Sequence, residues 1–214
     1  MLGSRLRDFW AEYSPSIGKL LARTHIYPNY FTVSAVFIAF LAAYFIAIHN
    51  FLLGLLFIIL ASLWDALDGA VAKAQKKESP FGNYLDAMVD KYVEIIFYLG
   101  FALAGYGLEA FLVVTGSLIL SYAKPRTAIV VPIDNHDWPA IGERVDRLVL
   151  LIIALIVGTF LPTITILNYT FNTISSLLLL LAVVVYTGSI QRILYARRII
   201  NAEGTANMGM KKRR

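Results

Sequence analysis

The stretch that decides the fold of this chain reads Asp65-Ala-Leu-Asp68-Gly69-Ala-Val-Ala72-Lys73, continues through eight residues to Gly82, and ends with Asp86 and Asp90. Its four aspartates lie in a segment that is otherwise apolar enough for a lipid bilayer. A carboxylate at membrane depth is costly, so four of them together need a partner. The pattern therefore predicts a divalent cation site within a membrane protein.

The composition of the whole chain agrees with a membrane location. Hydrophobic residues make up 58% of the 214 residues and charged residues only 15%, against about a quarter charged in an average soluble domain. A bilayer core about 30 Å thick needs roughly 20 apolar residues per helix, so we predict an all-α integral membrane protein of one domain. The six predicted spans cover residues 30–49, 51–72, 82–104, 108–124, 145–161 and 173–195.

The positions of the basic residues predict the orientation. Residues 49–50, 105–109 and 162–173 contain no Lys or Arg, whereas residues 73–80, residues 125–144 and both chain ends are basic. Basic loops stay on the cytoplasmic side of a membrane. We therefore expect both termini in the cytoplasm, a location in the cell membrane, and the aspartates at its cytoplasmic face.

The chain ends carry their own signals. Residues 3–23 alternate charged and apolar side chains at helical spacing, which predicts an amphipathic juxtamembrane helix. We divide the chain into three parts: the surface helix with the segment that enters the membrane (1–29), a membrane domain (30–200) and a basic tail (201–214). The net charge of +5 is distributed as expected for contact with anionic membrane lipids, and we predict no nucleic-acid partner. Cysteine is absent, which excludes thiolate chemistry.

The spacing of the aspartates predicts how they bind a cation. Asp65 and Asp68 are three residues apart, and Asp86 and Asp90 are four apart, so each pair shares one face of its helix. Ligation by oxygen alone, without Cys or nearby His, favours Mg²⁺ or Mn²⁺ over Zn²⁺. Two facing pairs supply enough oxygens for one or two ions, and we expect two.

The same stretch resembles the signature of the CDP-alcohol phosphotransferase family, D-x2-D-G-x2-A-R-x8-G-x3-D-x3-D. It fits every fixed position except one, because Lys73 stands where the family usually has Arg. The resemblance implies an enzyme that transfers a phosphatidyl-type group from a CDP-linked lipid to an alcohol and releases CMP. It further implies that Asp90 acts as general base. The metal ligands that it implies are Asp65, Asp68, Asp86 and Asp90.

The resemblance also implies a nucleotide site. Pro28-Asn29-Tyr-Phe-Thr32, which precedes the first span, looks like a short N-terminal motif of the family. Small residues of the signature leave the backbone open to a bulky ligand, and two cations can clamp its pyrophosphate. The implied CDP-binding residues are Asn29, Thr32, Asp65, Asp68, Gly69, Ala72, Lys73 and Gly82.

Two basic segments bear on the identity of the acceptor. Ser121-Tyr-Ala-Lys124-Pro-Arg126 ends the fourth predicted span, and Gly142-Glu-Arg144-Val-Asp-Arg147 begins the fifth. Both are similar to family members that use inositol phosphate, in the phosphatidylinositol-phosphate and archaetidylinositol-phosphate synthase branch. The resemblance implies that Lys124, Arg126, Arg144 and Arg147 hold the acceptor phosphate. Anchoring of these cations at the cytoplasmic face is the alternative, and glycerol 3-phosphate is the alternative acceptor.

One alternative comes from a different functional class. Carboxylates can line the pathway of a cation channel or transporter, but here they cluster near one membrane face and no discontinuous half-helices are apparent. The sequence therefore favours the transferase over a channel. The resemblance implies a homodimer and allows a diacyl or a diether lipid as the donor.

Overall fold

The computed structural model describes residues 26–133, 138 and 140–211, together with Gly18, Leu20, Leu21 and Arg23. Within these residues the chain forms six long helices and one short β-hairpin. In chain order the elements are α1 (Pro28–Ala47), α2 (Phe51–Gln75), α3 (Pro80–Leu103), α4 (Gly107–Val130), α5 (Arg144–Phe160), β1 (Thr163–Ile166), β2 (Tyr169–Asn172) and α6 (Thr173–Lys211).

The six helices lie where the six spans were predicted, but two of them are longer. The predicted fourth span ended at residue 124, whereas α4 continues through Pro125 to Val130. A proline removes one backbone hydrogen bond and bends a helix without necessarily ending it. The sixth predicted span ended at residue 195, whereas α6 runs to Lys211 and includes most of the predicted tail, since no proline follows Pro162.

Four helices among the described residues are long and apolar enough to cross a membrane: Pro28–Ala47, Phe51–Gln75, Gly107–Val130 and Thr173–Ala202. α3 is also long, but it carries the charged residues Asp86, Asp90, Lys91 and Glu94. α5 has only 17 residues. The helices support a membrane protein, while the count of six spans and the orientation of the termini stay predictions.

A β-hairpin between α5 and α6 departs from the predicted all-α fold. β1 and β2 pair antiparallel, with Thr163 opposite Asn172. The two residues between the strands, Leu167 and Asn168, have φ angles of 48° and 68°, as in a two-residue type I′ turn. The run Thr-Ile-Thr-Ile is rich in β-branched residues, which favour strands. Hydropathy and charge alone predict a loop over residues 162–173, because neither reports the β propensity of this run.

The predicted juxtamembrane helix over residues 3–23 lies mostly outside the described residues. Within that range Gly18, Leu20 and Leu21 have helical backbone. Gly18 is buried against α2, because a Cβ atom added to it would come within 2.5 Å of the Ala70 carbonyl oxygen. This part of the N-terminal segment therefore packs against the helix that carries Asp65 and Asp68.

α1 packs between the two helices that carry the aspartates. The buried face of α1 is built largely from small side chains at helical spacing, which include Ala35, Ala39, Ala42 and Ala43. Small residues allow helix backbones to approach closely in a membrane protein. α1 contacts both α2 and α3 extensively, whereas α2 and α3 contact each other at few positions. α1 therefore holds the two helices that carry the aspartates in position relative to each other.

A short loop joins α2 to α3, and capping residues mark both the end of α2 and the beginning of α3. Lys76 ends α2 in the left-handed conformation, with φ 55°. The Ser79 side chain accepts a hydrogen bond from the backbone N–H of Gly82 at 3.0 Å, and Pro80 stands in the first helical turn, a favourable start for a helix. The loop turns the chain so that the end of α2 and the beginning of α3 lie at the same end of the bundle.

The packing of α4, α5 and α6 brings the start of α5 to the end of the bundle that carries the aspartates. α4 packs on α3 and more extensively on α6, while α5 packs on α6 and reaches α2. α5 begins at Arg144 with a reciprocal cap, in which the Glu143 side chain accepts from the backbone of Asp146 and the Asp146 side chain accepts from the Glu143 N–H at 3.2 Å. The cap fixes the first residue of α5 beside the aspartates.

We expect Gly100→Ala to lower the thermal stability of the protein, because α1 and α3 touch at this position. A Cβ atom at Gly100 would lie 2.6 Å from the Ala43 Cα and 2.7 Å from its carbonyl oxygen. Overpacking of this kind costs about 1–3 kcal/mol. The measurement is the unfolding temperature in detergent, followed by intrinsic fluorescence.

Gly107→Ala is the matched control for this substitution. Gly107 begins α4, and no atom outside its own helix lies within 4 Å of an added Cβ. We expect this variant to unfold at the wild-type temperature or above it. Equal unfolding temperatures for the Gly100 and Gly107 variants would contradict the close packing of α1 on α3.

Candidate active site

Three of the four aspartates form a cluster that can bind a metal ion. Asp65 and Asp68 come from the C-terminal half of α2, and Asp86 comes from the beginning of α3. One carboxylate oxygen from each of these residues lies within 4.8 Å of the other two. The structure thus brings together carboxylates from the two helices, as the prediction of two facing pairs requires, and the cluster contains three of the four aspartates.

The environment of Asp68 is consistent with a bound cation. Its side chain is buried, with 6% of the residue exposed, and its Oδ2 atom has no hydrogen-bond partner within the described part of the chain. A buried carboxylate oxygen without a partner is energetically costly, and a divalent cation supplies the missing contact. The donors of the cluster are all carboxylate oxygens, which suit a hard ion such as Mg²⁺ or Mn²⁺.

Asp90 has a different partner, because it forms an ion pair with Arg144. The Arg144 Nη1 atom donates to Asp90 Oδ2 at 2.7 Å, and Nη2 lies 2.7 Å from Asp90 Oδ1. Nη2 also donates to Asp65 Oδ2 at 2.9 Å. A single guanidinium from α5 therefore bridges α2 and α3, with the two-pronged geometry that arginine provides and lysine does not.

A cavity of about 570 Å³, including its open mouth, lies on one side of the cluster. We call it the Asp68 cavity. Its walls come from the start of α1, the end of α2 and the start of α3. It brings together seven of the eight residues predicted to bind CDP, and only Asp65 lies outside its lining. The seven are Asn29, Thr32, Asp68, Gly69, Ala72, Lys73 and Gly82, and Asp86 joins them.

The Asp68 cavity contains residues that the sequence analysis did not single out. Lys77, Glu78, Ser79 and Asn83 line it from the loop between α2 and α3 and from the first turn of α3. The Lys77 ammonium lies 4.1 Å from the centre of the Tyr27 ring, within the range of a cation–π contact. These residues lie next to the signature in the sequence. The loop itself contains no motif from which a role in the site could be predicted.

A second cavity of about 390 Å³ lies on the other side of the cluster, between α2, α3 and α5. We call it the Asp90 cavity. Polar groups from Ser62, Asp90 and Arg144 line it together with apolar side chains such as Val93, Phe97, Leu148 and Leu151. The two cavities share no lining residue. The aspartates therefore separate two spaces, with Asp68 and Asp86 facing one and Asp90 facing the other.

Arg147 lies one helical turn after Arg144 but has a different environment. It is 3% exposed, and its Nε and Nη2 atoms donate to the two Glu94 carboxylate oxygens at 2.5 and 3.0 Å. Its Nη1 atom donates to the Gly142 carbonyl at 2.7 Å. Lys91 also donates to Glu94 at 3.3 Å and to the Ser121 hydroxyl of α4 at 2.9 Å. Glu94, one turn beyond Asp90, thus joins α3 to α5.

Lys124 and Arg126 lie farther along α4 and do not line either cavity at the aspartates. Lys124 is half-buried, whereas Arg126 is exposed and lines a separate groove between α4 and α6. Of the four cations predicted to bind the acceptor phosphate, Arg144 is the one whose contacts with Asp65 and Asp90 are seen among the described residues.

Comparison with known proteins shows which family this chain resembles over most of its length. A sequence model of the family described as CDP-alcohol phosphatidyltransferase matches residues 25–188. The archaetidylinositol phosphate synthase of Pyrococcus horikoshii is 33% identical over 155 residues, which cover 71% of this chain and 80% of that protein. The archaetidylinositol phosphate synthase of Aeropyrum pernix is 28% identical over 195 residues, covering 90% of this chain and 94% of the relative.

A solved structure with the same fold is the phosphatidylinositol phosphate synthase of Mycobacterium tuberculosis with CDP-DAG bound. It covers 86% of this chain and 94% of its own length, with a TM-score of 0.72 and 20% identity. Another structure of that enzyme is in complex with manganese and citrate. At this level of identity the likeness concerns the fold.

We expect Asp68→Asn to weaken Mn²⁺ binding by more than about tenfold, since it removes a charged ligand from the cluster. In the absence of divalent ions the same variant should unfold at the wild-type temperature or higher, because it removes the cost of a buried, unpartnered carboxylate oxygen. Electron paramagnetic resonance of Mn²⁺ measures the affinity, and thermal unfolding in chelator measures the stability.

Glu109→Gln is the control for the loss of a carboxylate elsewhere. Glu109 lies in the first turn of α4 and hydrogen-bonds to Ser175, outside the residues of the cluster. This variant should bind Mn²⁺ like the wild type. Wild-type Mn²⁺ affinity in the Asp68 variant would show that the three aspartates do not form the ion site.

Proposed function

The chain belongs to the CDP-alcohol phosphatidyltransferase family, and from this premise we propose that it transfers the lipid phosphate group of a CDP-linked lipid to a hydroxyl of inositol phosphate and releases CMP. The observation that carries the proposal is the position of the aspartates between two cavities. One cavity has the residues expected for the nucleotide, and the other has a carboxylate and a guanidinium suited to an acceptor. The names of the two archaeal relatives support inositol phosphate as the acceptor.

The metal site that we propose consists of Asp65, Asp68 and Asp86, with Asp90 beside them. Mg²⁺ or Mn²⁺ is the proposed ion, and the manganese complex of the mycobacterial neighbour is consistent with this choice. When bound, two such ions would supply positive charge to the pyrophosphate and to the departing CMP. The unpartnered Oδ2 atom of Asp68 is the structural observation that supports this site.

The Asp68 cavity is the proposed site of the CDP group. No atom lies within 4 Å of the position where Gly69 would carry a Cβ, so a nucleotide can approach the backbone of α2 there. Asn29 and Thr32 offer polar groups from α1, and the exposed Lys73 and Lys77 offer positive charge to phosphate oxygens. Lys73 retains the charge of the family's arginine, although it donates from a single centre.

Asp90 is the proposed general base. In the transfer, the acceptor hydroxyl oxygen forms a bond to the lipid phosphorus, the bond from that phosphorus to the CMP oxygen breaks, and the hydroxyl proton passes to the Asp90 carboxylate. Arg144 donates to Asp90 Oδ2 at 2.7 Å and lies within ion-pair distance of Oδ1, which orients the carboxylate. A fixed base close to the reacting hydroxyl is a source of rate enhancement.

Arg144 is the proposed ligand of the acceptor phosphate. Its side chain is 45% exposed, so donors remain accessible while it bridges Asp65 and Asp90. A guanidinium is well suited to a phosphate, because its N–H groups match two phosphate oxygens. An acceptor held by its phosphate at Arg144 would present its hydroxyl beside Asp90.

We assign Arg147 a positioning role in the same proposal. Its contacts with Glu94 and Gly142 occupy all three nitrogens of the guanidinium, and they tie the start of α5 to α3. Gly142 has φ 75° and packs against Val184 of α6. Lys124, half-buried on α4, is proposed to add positive charge near the acceptor. The position of Arg126 points to another role, which is considered below.

The proposed topology follows from the charge pattern of the sequence. We propose six spans, a juxtamembrane helix, both termini in the cytoplasm and an active site at the cytoplasmic face of the cell membrane. The basic residues at the site end of the bundle support this orientation. A homodimer is proposed on the family resemblance alone.

The proposed function predicts CMP release from a CDP-lipid in the presence of inositol phosphate and Mg²⁺ or Mn²⁺. Glycerol 3-phosphate, inositol and serine are the comparison acceptors. We expect inositol phosphate to give the highest kcat/KM, and chelation of the metal to abolish turnover. Asp90→Asn should reduce kcat by about 100-fold or more, because general-base catalysis contributes at least this much.

The folded state and substrate binding of the Asp90 variant serve as its controls. Its unfolding temperature and its affinity for the CDP-lipid should be retained, because Asp90 does not line the Asp68 cavity. Near-full turnover by this variant would remove Asp90 as the base. Preference for a neutral alcohol in the acceptor panel would instead overturn the proposed acceptor while leaving the transfer reaction in place.

For Arg144→Ala we expect the KM for inositol phosphate to rise about 10- to 100-fold, since hydrogen bonds to charged groups are worth that factor. The KM for the CDP-lipid should change much less. Arg144→Lys should give an intermediate effect, because it keeps the charge but loses the two-pronged contact. Initial-rate kinetics with each substrate varied in turn give both constants.

Arg198→Ala and Arg147→Lys provide two contrasts. Arg198 is an exposed residue of α6 outside both cavities, and its loss should leave both KM values unchanged. Arg147→Lys should lower kcat and the unfolding temperature together, because it removes buried contacts to Glu94. The opposite result would be a higher KM for inositol phosphate in Arg147→Lys and an unchanged KM in Arg144→Ala. It would show that Arg147, and not Arg144, binds the acceptor phosphate.

A further inference from the structure

A groove between α4 and α6 lies outside the proposed active site. It encloses about 1000 Å³ of space, including its opening. We call it the Arg126 groove. Its α4 wall carries residues spaced three or four apart, and its α6 wall does the same, so each helix contributes one continuous face. The residues that matter here are Tyr122, Arg126 and Val130 of α4 and Ile193, Arg197 and Ile200 of α6.

The groove exists because two parallel helices touch at one level and leave space beyond it. Gly116 of α4 packs against Val185 of α6, and the Ser189 hydroxyl donates to the Gly116 carbonyl at 3.1 Å. One turn later, Arg192 Nη1 donates to the Leu120 carbonyl at 2.8 Å. Beyond this contact, exposed side chains such as Tyr122, Arg126, Ile193 and Arg197 form much of the groove walls.

The lining of the groove combines two kinds of chemistry. Most of it is apolar, and Tyr122, Val130 and Ile193 are each more than half exposed, at 62%, 53% and 54%. The two arginines are also exposed, and none of the described residues that line the groove is acidic. The described residues include no ion pair for Arg126 or Arg197. An apolar surface with two cations and no carboxylate matches an amphiphile with an anionic head.

We propose that the Arg126 groove binds an anionic phospholipid of the surrounding membrane, with the lipid phosphate at Arg126 and Arg197 and a hydrocarbon chain along the apolar lining. The charge complementarity between the two guanidiniums and a phosphodiester is the observation that selects this occupant. Basic pockets between transmembrane helices are suited to anionic lipid head groups. This site is additional to the substrate sites of the proposed transferase reaction.

A second copy of the chain fits the groove less well. A symmetric dimer would place the same patch on both subunits, so Arg126 and Arg197 would meet the arginines of the partner. The described residues of the lining include no carboxylate to compensate these charges. Burial of like charges without partners is unfavourable, which disfavours a subunit interface and favours an anionic ligand.

The groove lies at the same end of the bundle as the aspartates but opens elsewhere. Lys91, next to Asp90, donates to Ser121 of α4 at 2.9 Å, so the start of the groove is level with the active site. No residue lines both the groove and the Asp68 or Asp90 cavity. A lipid in the groove therefore leaves both cavities accessible to substrates.

Native mass spectrometry of the full chain tests the proposal. Protein is released from nanodiscs that contain equal parts of phosphatidylglycerol and phosphatidylcholine, and the retained lipids are counted. The wild type should retain phosphatidylglycerol in preference to phosphatidylcholine. Arg126→Ala with Arg197→Ala should weaken this binding about 30-fold, since each cation near the membrane surface contributes about fivefold. Arg126→Lys with Arg197→Lys should retain most of it, and Arg198→Ala should retain all of it.

Three outcomes would overturn the proposal. The first is equal retention of phosphatidylglycerol by the double alanine variant and the wild type. The second is a shift of the double variant from dimer to monomer in the same spectra, which would make the groove a subunit interface. The third is a rise in the KM for inositol phosphate in neutral detergent, which would assign Arg126 to the acceptor. Lipid binding is measured without turnover. Its result therefore tests the lipid site independently of the proposed transferase reaction.

Discussion

The confinement of four carboxylates within an apolar helix bundle is the constraint on which the rest of the structure depends. Negative charge in such a setting must be compensated, and the structure provides two kinds of compensation. Arg144 pairs with Asp65 and Asp90, whereas the cluster of Asp65, Asp68 and Asp86 retains a buried oxygen without a partner. The first contact joins three helices and the second leaves a place for a cation. Structural support and chemical activity therefore come from one group of side chains.

The sequence predicted the helices and one side of the site well, because both depend on local patterns. Hydropathy located the six helices, and the signature collected the residues of the Asp68 cavity, which lie in three nearby segments of the chain. The bridge from Arg144 to Asp65 could not be predicted in the same way, since it joins residues that are distant in sequence. Its geometry depends on how α5 packs against α2, which no single segment encodes.

The basic segment at Lys124 and Arg126 illustrates a second limit. Two residues apart on a helix point about 200° apart around its axis, so a continuous helix directs these side chains to different surroundings. A span that ends at residue 124 does not impose this angle, and the family resemblance groups the two cations at one phosphate. The continuation of α4 through Pro125 separates them. The helix boundary thus bears directly on which of these cations can act together.

The insertion of α1 between α2 and α3 has a consequence for ion selection by size. Mg²⁺ binds oxygen at about 2.0–2.1 Å and Ca²⁺ at about 2.3–2.6 Å, with more ligands. Because α2 and α3 make few contacts of their own and α1 packs against both, the position of one aspartate pair relative to the other depends on how α1 packs. A helix that carries no ligand of the ion cluster would then determine which cation radius the site accepts, and larger side chains on its buried face would favour the larger ion.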